Sequence, residues 1–130
     1  MKAQKITLPG LAHLPAFCHA VIAGDFIYLS GTLGTKPNSM ELVEGGTAAE
    51  TRRILEIFDE ILASCNAGLD DLIKVNVFLH DMSTFDQMNE AYLSVIGDDP
   101  PARITVGKAD LALGAAVEID AVAYKPEIQN

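Results

Sequence analysis

Five short segments of the chain combine β-branched and apolar residues in the way that strands do. They are residues 17–22, 26–30, 72–79, 103–106 and 117–123, and residues 6–8 predict a further, short edge strand. Gly24-Asp25, between the first two segments, is typical of a tight hairpin turn. Side chains alternate along a strand, so every second residue from Ile73 to Leu79 is expected on one face. Glu118 and Asp120 are expected to point away from the apolar face of the last segment.

A period close to 3.6 residues begins at Thr47 and predicts the first helix. Thr47 and Glu50 form a capping-box pattern, in which a hydroxyl and a carboxylate each satisfy a backbone N–H at the helix start. Gly68 is the expected C-terminal stop. The apolar stripe of this helix consists of Ile54, Leu55, Phe58, Ile61, Leu62 and Cys65.

A second helix is expected to have Ser83 as its N-terminal cap and to end at Gly97. Pro100 and Pro101 cannot continue a helix, so they deliver the chain, extended, into the segment that begins at Arg103. The apolar face of this helix consists of Phe85, Met88, Tyr92 and Val95.

In chain order these elements read β-β-α-β-α-β-β. This order predicts one α+β domain over residues 1–130, with two helices on one face of a mixed sheet. Phe78 and Val122 would then lie on the face that the helices leave open. A half-apolar open face is a typical burial surface for another subunit, so the pattern favours an oligomer.

The bulk composition excludes several classes of protein. A formal charge of −9 disfavours nucleic-acid binding, which needs clustered Lys and Arg. No apolar run approaches the ~20 residues that span a bilayer. Lys2 and Lys5 are not followed by the apolar run of a secretory signal. Cys18 and Cys65 are a poor disulfide framework, so we expect a soluble, cytoplasmic protein with reduced thiols.

The sequence offers little sign of a metal or a bound phosphate. The three histidines, His13, His19 and His80, lack metal-ligand spacing and have no Cys-x-x-Cys companion. Gly45-Gly46 precedes a helix without the Lys-Ser/Thr of a phosphate-binding loop. Ser30-Gly31 ends a strand, where a glycine leaves backbone N–H groups open to a ligand but more often simply makes a turn.

Arg103 and Glu118 are the best candidates for chemistry because they stand inside strand-like sequence. Gly107 and Gly114 lie between them, so the two strands are expected to pair as an antiparallel hairpin with a long loop. A guanidinium binds a small carboxylate through two parallel hydrogen bonds. A carboxylate whose pKa is raised by partial burial can deprotonate a water. The alternatives are that the pair forms a structural ion pair or that both side chains face solvent.

Several motifs together resemble one known family. The most specific is PPAR at 100–103, followed after fifteen residues by the glutamate of VEIDAVA at 117–123. The SGT at 30–32, the stretch VNVFLHDMSTFDQMNEAY at 75–92 and the helix from Thr47 fall at matching positions. Nearly end to end, the sequence resembles the Rid family of reactive-intermediate (imine/enamine) deaminases, also called YjgF-like proteins.

The resemblance implies a chorismate-mutase-like α+β fold and a homotrimer. In that family the sheets of three subunits close a barrel-like core, and an active site lies in each of three inter-subunit clefts. Members hydrolyse 2-imino acids, or their enamine tautomers, to 2-oxo acids and ammonia. The resemblance therefore implies small-molecule substrates, no metal and no organic cofactor.

The resemblance also assigns roles residue by residue. Arg103 matches the arginine that clamps the substrate carboxylate, and Glu118 matches the glutamate that orients the attacking water. Ser30 and Gly31 match the strand end that lines the pocket, and Asn89 falls at a pocket-associated asparagine. Two positions depart from the common pattern: Phe17 stands where many members carry a tyrosine, and Thr105 where many carry a cysteine. These departures bear on substrate preference, because a missing hydrogen-bonding group shifts selectivity strongly.

Two other functions remain open from the sequence. One is a non-catalytic trimeric binding protein that senses 2-oxo acids or similar small carboxylates through Arg103. The other is the endoribonuclease or chaperone-like role sometimes attributed to the family, with which a charge of −9 fits poorly.

Overall fold

A six-stranded mixed sheet carries two helices in this computed structural model, which describes residues 2–126. The strands are β1 (Gln4–Ile6), β2 (Ala20–Ala23), β3 (Phe26–Thr32), β4 (Leu72–Leu79), β5 (Ala102–Val106) and β6 (Val117–Tyr124). The helices are α1 (Thr47–Ser64) and α2 (Phe85–Ile96). The strand order is β1-β2-β3-β6-β4-β5. The predicted α+β class is confirmed. A short edge strand is present at the start, but it covers Gln4–Ile6 rather than residues 6–8.

The predicted hairpin between the Arg103 and Glu118 strands is wrong. β5 pairs with β4, in parallel, whereas β6 lies antiparallel between β3 and β4. The reason is topological: β4, α2 and β5 form a crossover unit, and a crossover joins parallel neighbours. β4 therefore separates the two strands that carry the candidate charged residues.

The face of the sheet under the helices is an aliphatic core. The predicted apolar stripe of α1 is buried. It includes Cys65, which lies just after the last residue of the helix and is 4% exposed. Each such buried side chain contributes roughly 1.5–3 kcal/mol relative to an exposed one. On the sheet, the facing residues Ile27, Val75, Val77, Val117 and Ile119 have no exposed surface.

Two core predictions are wrong. Ile73 is 43% exposed, because the pairing of β4 with β6 shifts register between Leu72 and Lys74 and turns Leu72 inward instead. Val95 is 39% exposed on α2, and Ile96 packs against the core in its place. Met88 and Tyr92 are buried as predicted.

The helix ends also differ from the predicted caps. Gly46 precedes α1 without a side-chain cap, and the Glu50 carboxylate instead accepts a hydrogen bond of 2.9 Å from the backbone N–H of Ala116. α1 ends at Ser64, and Asn66 takes the left-handed conformation (φ 58°) expected further on at Gly68.

α2 begins at Phe85 rather than just after Ser83. The backbone N–H of Ser83 donates to Asp81 in a 3₁₀ turn before the helix. The predicted end at Gly97 is confirmed by its position at the C-terminal cap with φ 84°. Within residues 2–126, neither helix is both long and apolar enough to cross a membrane.

The opposite face of the sheet carries partly exposed apolar side chains. Phe78 and Val122 lie there, as expected, each half-buried. The aromatic rings of Phe26 and Tyr124 contact each other at 5.2 Å between centroids, and Tyr28 beside them is 50% exposed. The open face of the sheet therefore presents a partly apolar surface.

Candidate active site

Glu118 lies in β6 on the face of the sheet opposite the helices. It alternates with the buried Val117 and Ile119, and it stands opposite Phe78 in the register with β4. Its carboxylate packs directly against Gly31 of β3, where a Cβ atom would overlap Oε2 of the glutamate. The absence of a side chain at Gly31 therefore lets the carboxylate occupy this position.

The environment of Glu118 favours its protonated form. Burial raises the pKa of its carboxyl above the ordinary value, and repulsion from Asp120 raises it further. Within residues 2–126, no group donates a hydrogen bond to this carboxylate. Asp120, by contrast, accepts a hydrogen bond of 2.7 Å from Asn76. Glu118 is thus a carboxylate whose oxygens remain available to a water molecule or a substrate.

Four of the predicted site residues line one cavity of about 320 Å³: Phe17, Ser30, Gly31 and Glu118. The Ser30 hydroxyl donates a hydrogen bond of 2.6 Å to the carbonyl of Cys18, so it holds the chain next to Phe17 rather than pointing at a ligand. We name this group, with its cavity, the glutamate half-site.

Arg103 lies on the other face of the sheet. It stands opposite the buried Val75 in the parallel pairing of β5 with β4. Its guanidinium lies over the ring of Tyr92, at 4.8 Å from the centroid, and 5.7 Å from that of Phe85. Such cation–π contacts hold the guanidinium in place. Its N–H donors, which lie in the plane of the guanidinium, remain available to a ligand.

Asn89 and Thr105 belong with Arg103. Asn89 is four residues after Phe85 and three before Tyr92, so it lies on the same face of α2. Thr105 follows Arg103 by two residues and shares its face of β5. Its buried hydroxyl oxygen has no hydrogen-bond partner among the described residues. We name Asn89, Arg103 and Thr105 the arginine half-site.

The alternative that Arg103 and Glu118 form a structural ion pair is wrong for a single chain. The two residues lie on opposite faces of the sheet, and none of the salt bridges within residues 2–126 involves either of them. Within one chain, the carboxylate of Glu118 and the guanidinium of Arg103 therefore belong to separate surfaces.

Sequence reasoning missed most of the cavity wall. The wall also includes Leu11, Leu14, Leu33, Met40 and Leu113. These residues come from three loops, where neither period nor motif marks them. Leu113 also has a left-handed backbone (φ 61°), which is uncommon for a non-glycine residue but is visible only in the structure. Among the described residues, no cluster of His, Cys, Asp and Glu side chains is suited to a metal ion.

Solved structures and curated proteins match nearly the whole chain. The crystal structure of RidA from the Antarctic bacterium Psychrobacter sp. superposes with a TM-score of 0.87 at 34% identity, covering 93% of this chain and 98% of that one. A RutC family protein of Pyrococcus horikoshii is 38% identical over 109 residues, 84% of this chain and 86% of its own. A human protein named 2-iminobutanoate/2-iminopropanoate deaminase is 36% identical over 109 residues, 84% of this chain and 80% of its own.

The fold is thus the one found in the RidA structure. Residues 10–125 match the family described as Endoribonuclease L-PSP. The chain belongs to this family, which is the YjgF/Rid family, and the resemblance noted from the sequence is confirmed.

Proposed function

We propose that this protein is a hydrolytic deaminase that converts reactive 2-imino acids, or their enamine tautomers, to 2-oxo acids and ammonia. The observation that carries the proposal is Glu118, a carboxylate with a raised pKa that lines a cavity in a chain of this family and receives no hydrogen bond from residues 2–126. Relatives named 2-iminobutanoate/2-iminopropanoate deaminase, from rat and human, support the same chemistry.

The reaction requires few groups because an imine is already electrophilic. Arg103 binds the substrate carboxylate through two parallel hydrogen bonds and fixes its orientation. Glu118 takes a proton from a water, whose oxygen forms a bond to the carbon of the protonated imine, so that the C=N electron pair returns to the nitrogen. In the resulting tetrahedral adduct, Glu118 returns its proton to the amine. The C–N bond then breaks as the Glu118 carboxylate takes the hydroxyl proton, which releases ammonia and leaves the 2-oxo acid.

Both charged groups act on one substrate only if two copies of the chain meet. We propose a homotrimer in which the glutamate half-site of one subunit faces the arginine half-site of the next. The exposed apolar side chains on the open face of the sheet support burial against another copy. The protein would act in the cytoplasm, where Cys18 and Cys65, both unpaired, stay reduced.

A subunit-mixing experiment tests the chemistry and the assembly together. An amino-acid oxidase generates 2-imino acids in place, and 2-oxo acid release is measured for wild type, Arg103→Ala and Glu118→Gln. Each variant should lose about 10²- to 10⁴-fold in rate, as expected for removal of a general base or a substrate clamp. Co-refolded 1:1, the two inactive variants should regain about a quarter of wild-type activity, because half of the arginines and half of the glutamates are intact.

Self-mixed variants and self-mixed wild type are the controls for refolding. A mixture that stays inactive, although sizing shows mixed trimers, would contradict sites shared between subunits. A wild type that does not exceed the uncatalysed rate on any 2-imino acid would contradict the deaminase itself. Glu118→Gln separates an enzyme from the alternative of a non-catalytic binding trimer, because 2-oxo acids should bind the variant in both cases but only an enzyme would lose turnover.

A further inference from the structure

The cavity beside Glu118 is larger than the reacting groups of a 2-imino acid require. Its volume is about 320 Å³. The imine carbon must lie next to a water held by Glu118. The reacting end of the substrate therefore binds in the part of the cavity that Glu118 and Gly31 line. Beyond that wall the lining is apolar, from Leu11, Leu14, Phe17, Leu33, Met40 and Leu113.

The polar side chains of the same wall are mostly engaged with backbone groups. His19 accepts from the N–H of Leu8 at Nδ1, and its Nε2 lies 2.9 Å from the carbonyl of Ala12. The hydroxyls of Ser30 and Thr32 donate to backbone carbonyls, at 2.6 and 2.8 Å. A polar substrate side chain would therefore lose its water without gaining an equivalent set of partners.

We propose that the cavity holds the substrate's own side chain and that the preferred substrates are 2-imino acids with branched aliphatic or aromatic side chains. These are the imines formed by oxidation of amino acids such as leucine and phenylalanine. The inference rests on the proposed deaminase function and adds the substrate class. An acidic side chain is excluded because its charge would lose its water in the apolar part of the cavity without gaining a partner.

The expected preference follows from the apolar surface that each side chain buries. One buried methylene improves binding of the transition state about fourfold. The leucine-derived imine has three more carbons than the alanine-derived imine, so kcat/KM should favour it by roughly 60-fold if all three are buried. A methyl side chain would leave the apolar part of the cavity to water.

The test compares kcat/KM for 2-imino acids derived from alanine, leucine, phenylalanine and aspartate, generated by amino-acid oxidases and measured as 2-oxo acid release. The expected order places the leucine and phenylalanine derivatives first and the aspartate derivative last. Calorimetry with the 2-oxo acid products provides a second readout. 4-Methyl-2-oxopentanoate should bind more tightly than pyruvate, both to the wild type and to Glu118→Gln.

Leu113→Asn and Leu14→Asn test the cavity wall itself. Leu113 and Leu14 are 51% and 48% exposed, so the polar replacement costs little in stability, and asparagine suits the left-handed backbone at 113. Each variant should reduce the leucine-to-alanine ratio of kcat/KM about four- to tenfold. Ile73→Asn, at an aliphatic position 43% exposed and outside the cavity, should leave the ratio unchanged.

The outcomes separate the two proposals. If wild type hydrolyses the alanine derivative best and rates fall with side-chain size, the substrate class is wrong and the deaminase function stands. If a folded wild type hydrolyses none of the four, the deaminase function fails. If the preference for large side chains is present but neither cavity variant reduces it, the side chain binds elsewhere and this cavity is not its site.

Discussion

The contact between Gly31 and Glu118 gives the sharpest test of how the proposed base is held. In Gly31→Ala, the new Cβ atom would overlap Oε2 of Glu118. The backbone at Gly31 is not in the left-handed region, so alanine itself is tolerated there. The overlap must therefore be relieved by movement of the carboxylate, which would withdraw by about 1 Å to reach ordinary contact distance.

A displacement of this size has a large effect on rate and a small effect on folding. Misplacing a reacting group by about 1 Å costs roughly 10²-fold in kcat. For stability, overpacking costs about 1–3 kcal/mol. The lower entropy of the unfolded alanine chain offsets about 0.4–1 kcal/mol of that. The net loss of at most ~2.6 kcal/mol is below the 5–15 kcal/mol that stabilises typical domains, so we expect the variant to fold.

The assay is 2-oxo acid release from oxidase-generated imines, with thermal unfolding measured in parallel. Gly68→Ala is the matched control, because Gly68 is extended (φ −149°) and a Cβ there meets no atom within 4 Å. The Gly31→Ala change should also have little effect on kcat in a Glu118→Gln background, since the base is already absent. A folded Gly31→Ala protein with wild-type kcat would refute the argument that this contact positions a catalytic carboxylate.

Three further predictions follow from other contacts. Glu50→Ala should destabilise the fold by about 1–3 kcal/mol in denaturant titrations, because it removes the acceptor of the Ala116 N–H, whereas Glu50→Gln keeps an oxygen there and should cost less. Burial raises the pKa of Glu50 above 4.5, so its ionisation opposes folding. The free energy of unfolding of the wild type should therefore fall as the pH rises from 4.5 through the raised pKa, and it should fall less in Glu50→Gln. For catalysis, kcat/KM should fall as pH drops through the raised pKa of Glu118, and Asp120→Asn should move this acid limb to lower pH because the repulsion is removed. An acid limb that does not move in Asp120→Asn, or a Glu50→Gln variant as unstable as Glu50→Ala, would contradict these assignments.

The elements with a clear period were predictable from the sequence, and their neighbours in the sheet were not. The stripe of α1 and the alternation of β6 follow from side-chain geometry within one element. The prediction of a hairpin between the Arg103 and Glu118 strands failed because sequence order does not reveal that β6 lies between β3 and β4. The prediction that Ile73 is buried failed because a register shift at one residue reverses which side chains face inward.

The candidate site was predictable as a set of residues but not as an arrangement. Arg103 and Glu118 were identified by their chemistry and by family resemblance, and their roles remain predictions. That they lie on opposite faces of the sheet follows from the parallel pairing of β5 with β4, which no local pattern encodes. The apolar cavity wall comes from loops, where spacing carries no signal.

Glu50 has a consequence for how this domain tolerates change. Its carboxylate holds Ala116, two residues before Glu118, while its backbone packs so closely on Gly34 that a Cβ there would lie 2.7 Å from the Glu50 carbonyl oxygen. Gly34 follows Gly31 by three residues, so both strands of the glutamate half-site are anchored to the same turn of α1. Insertions in residues 36–45 or 107–114 would lie beyond these anchors. The loops that line the cavity can therefore vary in length and sequence while the contact between Gly31 and Glu118 is retained.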